Sequence, residues 1–208
     1  DSETSTLTLD NASIAATAEF GIKQLTELDS LHINVVGNDT VRGKDTPILL
    51  YTNTAMSISG DGHLYVELPE SESLHDFSIA IQLESGAAMT IRNTSLEVVS
   101  AKHGICNMGM TLAKLAIDHS TVSIKCPTGT TAIGGMESLD LSGCQILSPA
   151  DAYYNNWDMY VLYNKDNTPC SEVFIGRTYG ITVAGVSVHE LNKDNVIGEG
   201  ITGTVRYD

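Results

Sequence analysis

The chain has 208 residues, of which 42% are hydrophobic and 18% are charged. This composition excludes a disordered chain, because disordered segments are poor in apolar residues. The 26 acidic residues outnumber the 11 basic ones, and the net charge is −15. A surface this acidic repels nucleic acid and anionic membranes, so we expect neither as a partner. No apolar run is long enough to insert into a bilayer.

The first 150 residues repeat one pattern of short apolar pairs and polar turns. Each repeat opens on an alternating apolar pair, turns at Gly, Asn, Asp or Ser, and continues with a second alternating pair. The repeats start at six anchor residues: Leu7, Leu31, Met56, Met89, Leu115 and Leu139. The anchors are 24 to 26 residues apart, except for one interval of 33. A fixed period of this length is typical of a repeat architecture.

The one long interval contains an extra polar segment at residues 69–76, with the sequence PESESLHD. The pattern of apolar pairs resumes after it. We interpret this segment, called the insert below, as a loop added to an otherwise regular repeat.

The repeats predict an all-β protein, a single-stranded right-handed parallel β-helix of about six rungs. Each short strand alternates, so one of its faces is apolar, and a single rung cannot bury that face alone. Stacked rungs pair equivalent strands in parallel and enclose a continuous apolar column. A β-sandwich also has short strands and turns, but it does not account for the repeated order within each rung.

After Pro149 the pattern breaks. An aromatic segment at residues 151–163 contains the only tryptophan, and strands are predicted at 173–175, at 182–188 with a kink at Gly185, and at 203–207. We therefore divide the chain into β-solenoid rungs at 1–150 and a region at 151–208. The second region holds the aromatic cap segment and a β-hairpin-like C-terminal segment.

The two ends of the chain carry related motifs. Residues 183–188 read VAGVSV, an Asn-rich loop follows at 192–195, and the chain ends on GTVRYD. Near the start, residues 6–14 read TLTLDNASI. Joined tail to head, these motifs resemble secreted bacterial parallel β-helix repeat proteins of the carbohydrate-binding type found in gut anaerobes.

The resemblance implies an extracellular or cell-surface location, a non-catalytic role and a polysaccharide or glycan as ligand. It also implies that residues 173–208 introduce a further module of a longer tandem protein. Alternatively, a hairpin formed by the tail packs beside the first rung and caps it.

Aromatic rings stack on sugar faces, and neighbouring polar groups orient the sugar hydroxyls. The candidate carbohydrate-binding residues are Tyr153, Tyr154, Trp157 and Tyr160. The same rings are also suited to closing the open end of the solenoid, because solenoid ends require caps.

Calcium is the one cofactor that the sequence suggests, since it binds carboxylate oxygens. The candidate ligands in the insert are Glu70, Glu72 and Asp76. A second set of acids recurs at the turns: Asp10, Asp39, Asp61 and Asp118. Turn acids are also favoured by backbone geometry alone, without any metal.

Catalysis is not expected. Glycoside hydrolysis needs a pair of carboxylates, but one acid occurs among the outward positions predicted for the first strands: Thr8, His32, Ser57, Thr90, Ala116 and Asp140. One acid also occurs among those assigned to the second strands: Tyr65, Glu97 and Ser123. A structural or adhesive surface protein is the alternative function, and a relative of the polysaccharide lyases is the second alternative.

The four cysteines are Cys106, Cys126, Cys144 and Cys170. None forms a C-x-x-C pair, so zinc and redox motifs have no support. We expect Cys106, Cys126 and Cys144 to be buried thiols. The sequence also allows one or two disulfides.

Overall fold

The structure is a computed structural model that describes residues 5–24, 27–72, 74–155 and 161–178, with the backbone of three short strands at 182–183, 186–191 and 196–198. The described residues form strands joined by turns, and no helix occurs among them. The all-β prediction is therefore confirmed. Within these residues, accordingly, no helix is available to cross a membrane.

Fifteen strands form five complete coils, with three strands in each coil. In chain order they are β1 (Thr6–Asp10), β2 (Ser13–Ala15), β3 (Phe20–Lys23), β4 (Ser30–Val36), β5 (Asn38–Arg42), β6 (Thr46–Leu50), β7 (Ala55–Ser59), β8 (His63–Leu68), β9 (Ile79–Leu83), β10 (Ala88–Arg92), β11 (Ser95–Ser100), β12 (His103–Asn107), β13 (Ala113–Asp118), β14 (Thr121–Lys125) and β15 (Ile133–Gly134). Every third strand pairs in parallel with its equivalent in the next coil. The first strands of the coils form sheet A, the second form sheet B and the third form sheet C. This is the predicted parallel β-helix, and it is consistent with right-handed winding.

The inward side chains stack in columns along the solenoid. In sheet C the central column consists of isoleucine only: Ile22, Ile48, Ile81, Ile105 and Ile133. In sheet A the anchors align from the second coil onward: Leu31, Met56, Met89, Leu115 and Leu139. These columns form part of the buried core, and burial of apolar surface is the main force that holds the coils together.

The anchor predicted for the first coil is wrong by two residues. Leu7 lies beside Ile33 and not beside Leu31. A shift of two residues keeps the same side chains on the inward face, because strand alternation has a period of two. The apolar pattern therefore fits either register, and the backbone pairing decides between them.

The corner between sheets A and B requires left-handed backbone angles. In three coils the corner residue is not glycine, and φ is 49° at Asn11, 49° at Asn93 and 43° at His119. Glycine takes the left-handed conformation at other corners of this row, including Gly37 at 79° and Gly143 at 59°. The turns predicted from Asn, Asp and Gly are confirmed, since these residues tolerate such angles best.

The last coil is closed by strands that reverse direction. Five further strands follow in chain order: β16 (Met136–Ser142), β17 (Cys144–Ser148), β18 (Tyr153–Asn155), β19 (Val161–Tyr163) and β20 (Glu172–Arg177). Of these, β19 and β20 run against the direction of the coils. Only β16 continues in parallel, as the sixth strand of sheet A. In sheet B, β20 lies antiparallel between β14 and β17, and in sheet C, β19 lies antiparallel to β15. The predicted six rungs are thus five complete coils and the first strand of a sixth.

The C-terminal strands are β21 (Thr182–Val183), β22 (Val186–Leu191) and β23 (Val196–Gly198), and they pair in antiparallel order. The single strand predicted at 182–188 is instead two strands, because Thr182 pairs back onto Ser187. The partner predicted at 203–207 lies outside the described residues.

Candidate functional site

The outer surface of sheet B carries the most varied set of side chains in the described structure. We call it the sheet-B face and define it as the outward side chains of β5, β8, β11, β14 and β20. Its upper row contains Asn38, His63, Ser95 and Thr121. Its middle row contains Thr40, Tyr65, Glu97, Ser123 and Phe174. Its lower row contains Arg42, Glu67, Val99, Lys125 and Glu172.

Tyr65 lies in the middle row of this face, on β8. Its ring is half-buried, with Thr40 on one neighbouring strand and Glu97 on the other. Burial raises the pKa of the Tyr65 phenol, and the nearby carboxylates of Glu67 and Glu97 raise it further. The phenol therefore stays neutral at physiological pH and can donate a hydrogen bond.

Two ion pairs cross the lower row of the sheet-B face. Arg42 Nε donates to Glu67 Oε2 between β5 and β8. Lys125 Nζ lies 3.7 Å from Glu172 Oε1 between β14 and β20. Exposed pairs of this kind contribute about 0–1 kcal/mol to stability, so their main effect here is to balance charge on the face.

Glu97 has a different partner. Its Oε2 lies 3.5 Å from His63 Nε2, and His63 Nδ1 lies 3.0 Å from Ser95 Oγ. Both side chains are accessible, with 45% of Glu97 and 36% of His63 exposed. A carboxylate, an imidazole and a phenol ring are thus grouped in one accessible part of the face.

A cleft of about 360 Å³ borders the lower row where β8, β11 and β14 end. It is lined by Glu67, Leu68, Pro69, Glu70, Val99, Ser100, Ala101, Lys125, Cys126 and Pro127. The insert forms one wall, because Pro69 and Glu70 are its first residues. The cleft extends the sheet-B face sideways and gives it a concave edge.

The aromatic segment divides into a buried and an exposed part. Tyr154 packs against the core, and its Oη donates to the backbone oxygen of Met136. Tyr153 is 37% exposed and stacks on Tyr163, with ring centroids 6.0 Å apart and an interplanar angle of 24°. Tyr153 Oη also donates to Asn167 Oδ1. Tyr154 therefore helps to close the solenoid, while Tyr153 keeps an accessible edge.

The other two predicted carbohydrate-binding residues, Trp157 and Tyr160, lie outside the described residues. The structure therefore brings together Tyr153 and Tyr154 of the predicted set on β18, next to the closed end of sheet C.

The insert is attached to the solenoid by polar contacts of its own. His75 Nε2 lies 3.4 Å from Asp45 Oδ2. Ser78, two residues after the insert, donates from its Oγ to Asp45 Oδ1. Asp76 Oδ1 lies 3.3 Å from Lys102 Nζ, although 91% of the Asp76 side chain is exposed. Glu70 and Glu72 are exposed as well.

Nowhere in the described part of the chain do three or more His, Cys, Asp or Glu side chains group closely enough to hold a metal. Calcium binding by Glu70, Glu72 and Asp76 thus remains a prediction from the sequence.

Three of the acids at the turns, Asp10, Asp39 and Asp118, accept hydrogen bonds within the protein. Asp118 accepts from Arg92 Nε at 2.9 Å, and its Oδ1 lies 2.6 Å from His119 Nδ1. The hydrogen bond to His119 is the main reason that the pKa of Asp118 is lowered. Asp39 is 1% exposed and accepts from the backbone N–H of Ala12 at 2.6 Å. Both carboxylates therefore fix corner geometry.

All four cysteines are buried, free thiols. Burial raises the pKa of Cys126 to about 12 and that of Cys170 to about 11. Burial also raises the pKa values of Cys106 and Cys144. Neutral thiols are poor nucleophiles, so these side chains act as core residues, and the prediction of buried thiols is confirmed for the first three.

The sequence pattern assigns Tyr65, Glu97 and Ser123 to one row, but it does not place Phe174 beside them. Phe174 joins that row only because β20 pairs antiparallel with β14. The alternation around residue 174 marks it as outward on a strand, yet no local signal shows which strand is its neighbour. The sequence pattern also does not single out Arg42 and Glu67, although Glu67 lies two residues from the predicted outward position Tyr65.

Comparison with protein-family models, with curated proteins and with solved structures finds no match to this chain.

Proposed function

We propose that this chain is a non-catalytic β-solenoid module of a secreted or cell-surface protein and that it binds carbohydrate on the sheet-B face. The secreted location and the carbohydrate ligand are implied by the resemblance of its end motifs. The choice of surface is supported by the side chains that the fold places there.

The observation that carries the proposal is the pairing of two aromatic rings in one row. Tyr65 and Phe174 both point outward in the middle row, with Glu97 and Ser123 between them. Adjacent strands are about 4.8 Å apart, so the two rings are about 14 Å apart across three strand spacings. A flat row of this length, with a ring at each end and polar groups between, suits a short stretch of an extended glycan.

The polar groups around Tyr65 suit a sugar ligand. Glu67 and Glu97 accept hydrogen bonds, whereas Arg42 donates them. Sugar hydroxyls need both donors and acceptors around the stacking ring. The insert and the cleft beside the lower row add a wall, which limits the directions in which a bound chain can leave the face.

The ion pairs made by the carboxylates favour binding over hydrolysis. Hydrolysis uses a pair of carboxyl groups, one of which must give a proton to the leaving oxygen. On the sheet-B face Glu67 is held by Arg42 and Glu172 is paired with Lys125. These two side chains are committed to cations, so we assign the face to recognition.

The aromatic segment is a weaker candidate for the same role. The ring of Tyr154 packs against the core, and its hydroxyl is bonded to the backbone of Met136. Tyr153 is accessible to a similar degree as Phe174, at 37% and 39%. Tyr153 therefore provides a matched control for the assignment.

A glycan array tests the proposal. We expect the wild-type chain to bind at least one polysaccharide, and Tyr65→Ala to weaken that binding about tenfold, as loss of a central aromatic contact does. Tyr153→Ala is expected to bind like the wild type. If Tyr153→Ala lost binding while Tyr65→Ala still bound like the wild type, the site would instead lie in the aromatic segment. Absence of any bound glycan would overturn the proposal.

A further inference from the structure

The charges on the sheet-B face are not evenly balanced. Each of the lower-row carboxylates, Glu67 and Glu172, has a permanently cationic partner. Within the described part of the chain, Glu97 has no lysine or arginine at salt-bridge distance, and its ionic partner is His63 at 3.5 Å. A histidine carries no permanent charge, so His63 compensates the Glu97 carboxylate less than a lysine or an arginine would.

This carboxylate lies directly beside an aromatic ring. Glu97 and Tyr65 are register partners on β11 and β8, and partners on adjacent parallel strands are about 4.8 Å apart. The proximity is also expressed in the raised pKa of Tyr65, to which Glu97 contributes. A carboxylate and a phenol ring on neighbouring positions can together bind an organic ammonium group, by a charge-assisted hydrogen bond and a cation–π contact.

The net charge of the whole chain also favours a cationic ligand. A net charge of −15 attracts cationic polymers and repels anionic ones over a Debye length of about 8 Å at physiological salt. A polyuronide therefore meets repulsion at this surface, whereas a glycan with free amino groups is attracted to it.

From these observations we infer that the ligand of the sheet-B face is a glycan that carries free amino groups, with Glu97 and Tyr65 as the pair that binds an ammonium group. This inference rests on the proposed function, because it specifies the chemical class of the carbohydrate. Phe174 supplies the second stacking position along the same row.

The test compares two probes that differ only in the acetylation of their amino groups, with an anionic oligosaccharide as a third probe. Isothermal titration is performed with a glucosamine oligosaccharide, with its fully N-acetylated counterpart and with an oligogalacturonate. We expect the amine form to bind about tenfold tighter than the acetylated form, since hydrogen bonds to charged groups exceed neutral ones by this order. The oligogalacturonate should bind most weakly, and the preference for the amine should shrink as salt is raised.

Two isosteric variants locate the effect. Glu97→Gln should remove most of the preference for the amine, whereas Glu172→Gln should keep it, because Glu172 is already paired with Lys125. Equal affinity of the wild type for both oligosaccharides, or an unchanged preference in Glu97→Gln, overturns the inference.

Carbohydrate binding on the sheet-B face and the preference for an amino group can be disproved separately. If both oligosaccharides bind equally and Tyr65→Ala weakens both, the ammonium pair is wrong while carbohydrate binding on the sheet-B face stands. If none of the three probes binds, and an array of neutral and charged glycans also gives no ligand, both are wrong.

Discussion

Ile175 lies opposite Val122, on a strand that runs against the direction of the coils. The same isoleucine faces Ile146 on its other side, so β20 separates β14 from β17. If stacking had continued, the second strand of the sixth coil would pair directly with β14. The chain instead covers the end of sheet B with a strand from nearly thirty residues further along.

We predict that this closing strand contributes strongly to stability. Ile175 is fully buried, and Ile175→Ala should lower the free energy of unfolding by about 2–5 kcal/mol, because it removes apolar contacts and leaves a cavity. Phe174→Ala on the same strand points outward and should cost less than about 1 kcal/mol. Urea denaturation of the two variants measures the difference, and equal losses would contradict the placement of β20.

A second prediction concerns close packing between coils at Gly104. A Cβ added there would lie 2.6 Å from Ile124 Cγ2 and would also meet the backbone oxygen of Ala132. Gly104→Ala should therefore cost about 3 kcal/mol, since a buried backbone cannot move aside. Gly129 has open space around it at a φ of +86°, so Gly129→Ala should cost only about 1 kcal/mol for the left-handed conformation. Thermal melts compare the two, and a smaller loss at Gly104 would argue against this inter-coil contact.

A third prediction concerns the thiols. All four are buried, so Ellman's reagent at pH 8 should find almost no reactive thiol in the native chain and four in guanidinium chloride. Burial disfavours the thiolate, which is the reactive form. Rapid reaction of Cys126 in the native state would show that its surroundings open to solvent.

The same thiols predict a loss of stability at alkaline pH. The pKa values of Cys126 and Cys170 are raised in the folded chain, so above about pH 8.5 the unfolded chain loses protons that the folded chain retains. The free energy of unfolding should therefore fall as the pH rises from 8 to 10. The double variant Cys126→Ala/Cys170→Ala should show a shallower fall, and an identical slope would contradict this explanation.

At acidic pH we predict that Asp118 makes the free energy of unfolding fall as the pH is lowered. The hydrogen bond with His119 lowers its pKa in the folded chain, so its contribution is present above the ordinary value of about 3.9 and is lost as the pH falls below that value. Asp118→Asn should reduce stability at pH 6 and make little difference at pH 2. Asp61→Asn, at an exposed corner, is the control. A loss that persists unchanged at pH 2 would exclude the ionised carboxylate as the cause.

The sequence predicted most of the solenoid because its signal is local and repeated. Met89, Leu115 and Leu139 recur at intervals of 26 and 24 residues, a spacing that stacking explains. Asn93 and His119 occupy corners that need unusual backbone angles. The register of Leu7 could not be predicted, because alternation tolerates a shift of two residues.

The candidate site was less accessible from the sequence than the fold was. Tyr65 and Glu97 belong to successive coils, so the repeat places them side by side. Phe174 reaches the same row through an antiparallel pairing, and a long-range pairing leaves no mark in a single strand. The partner of Lys125 likewise depends on this pairing, because Glu172 lies on β20.

The central claim is that the sheet-B face, through Tyr65 and Phe174, binds carbohydrate. Affinity electrophoresis in gels that contain the bound polysaccharide tests it most directly, with Tyr65→Ala/Phe174→Ala and Tyr153→Ala run beside the wild type. The account predicts that the double variant migrates as in a glycan-free gel, while Tyr153→Ala is retarded like the wild type. Retardation of a folded double variant equal to that of the wild type would contradict it.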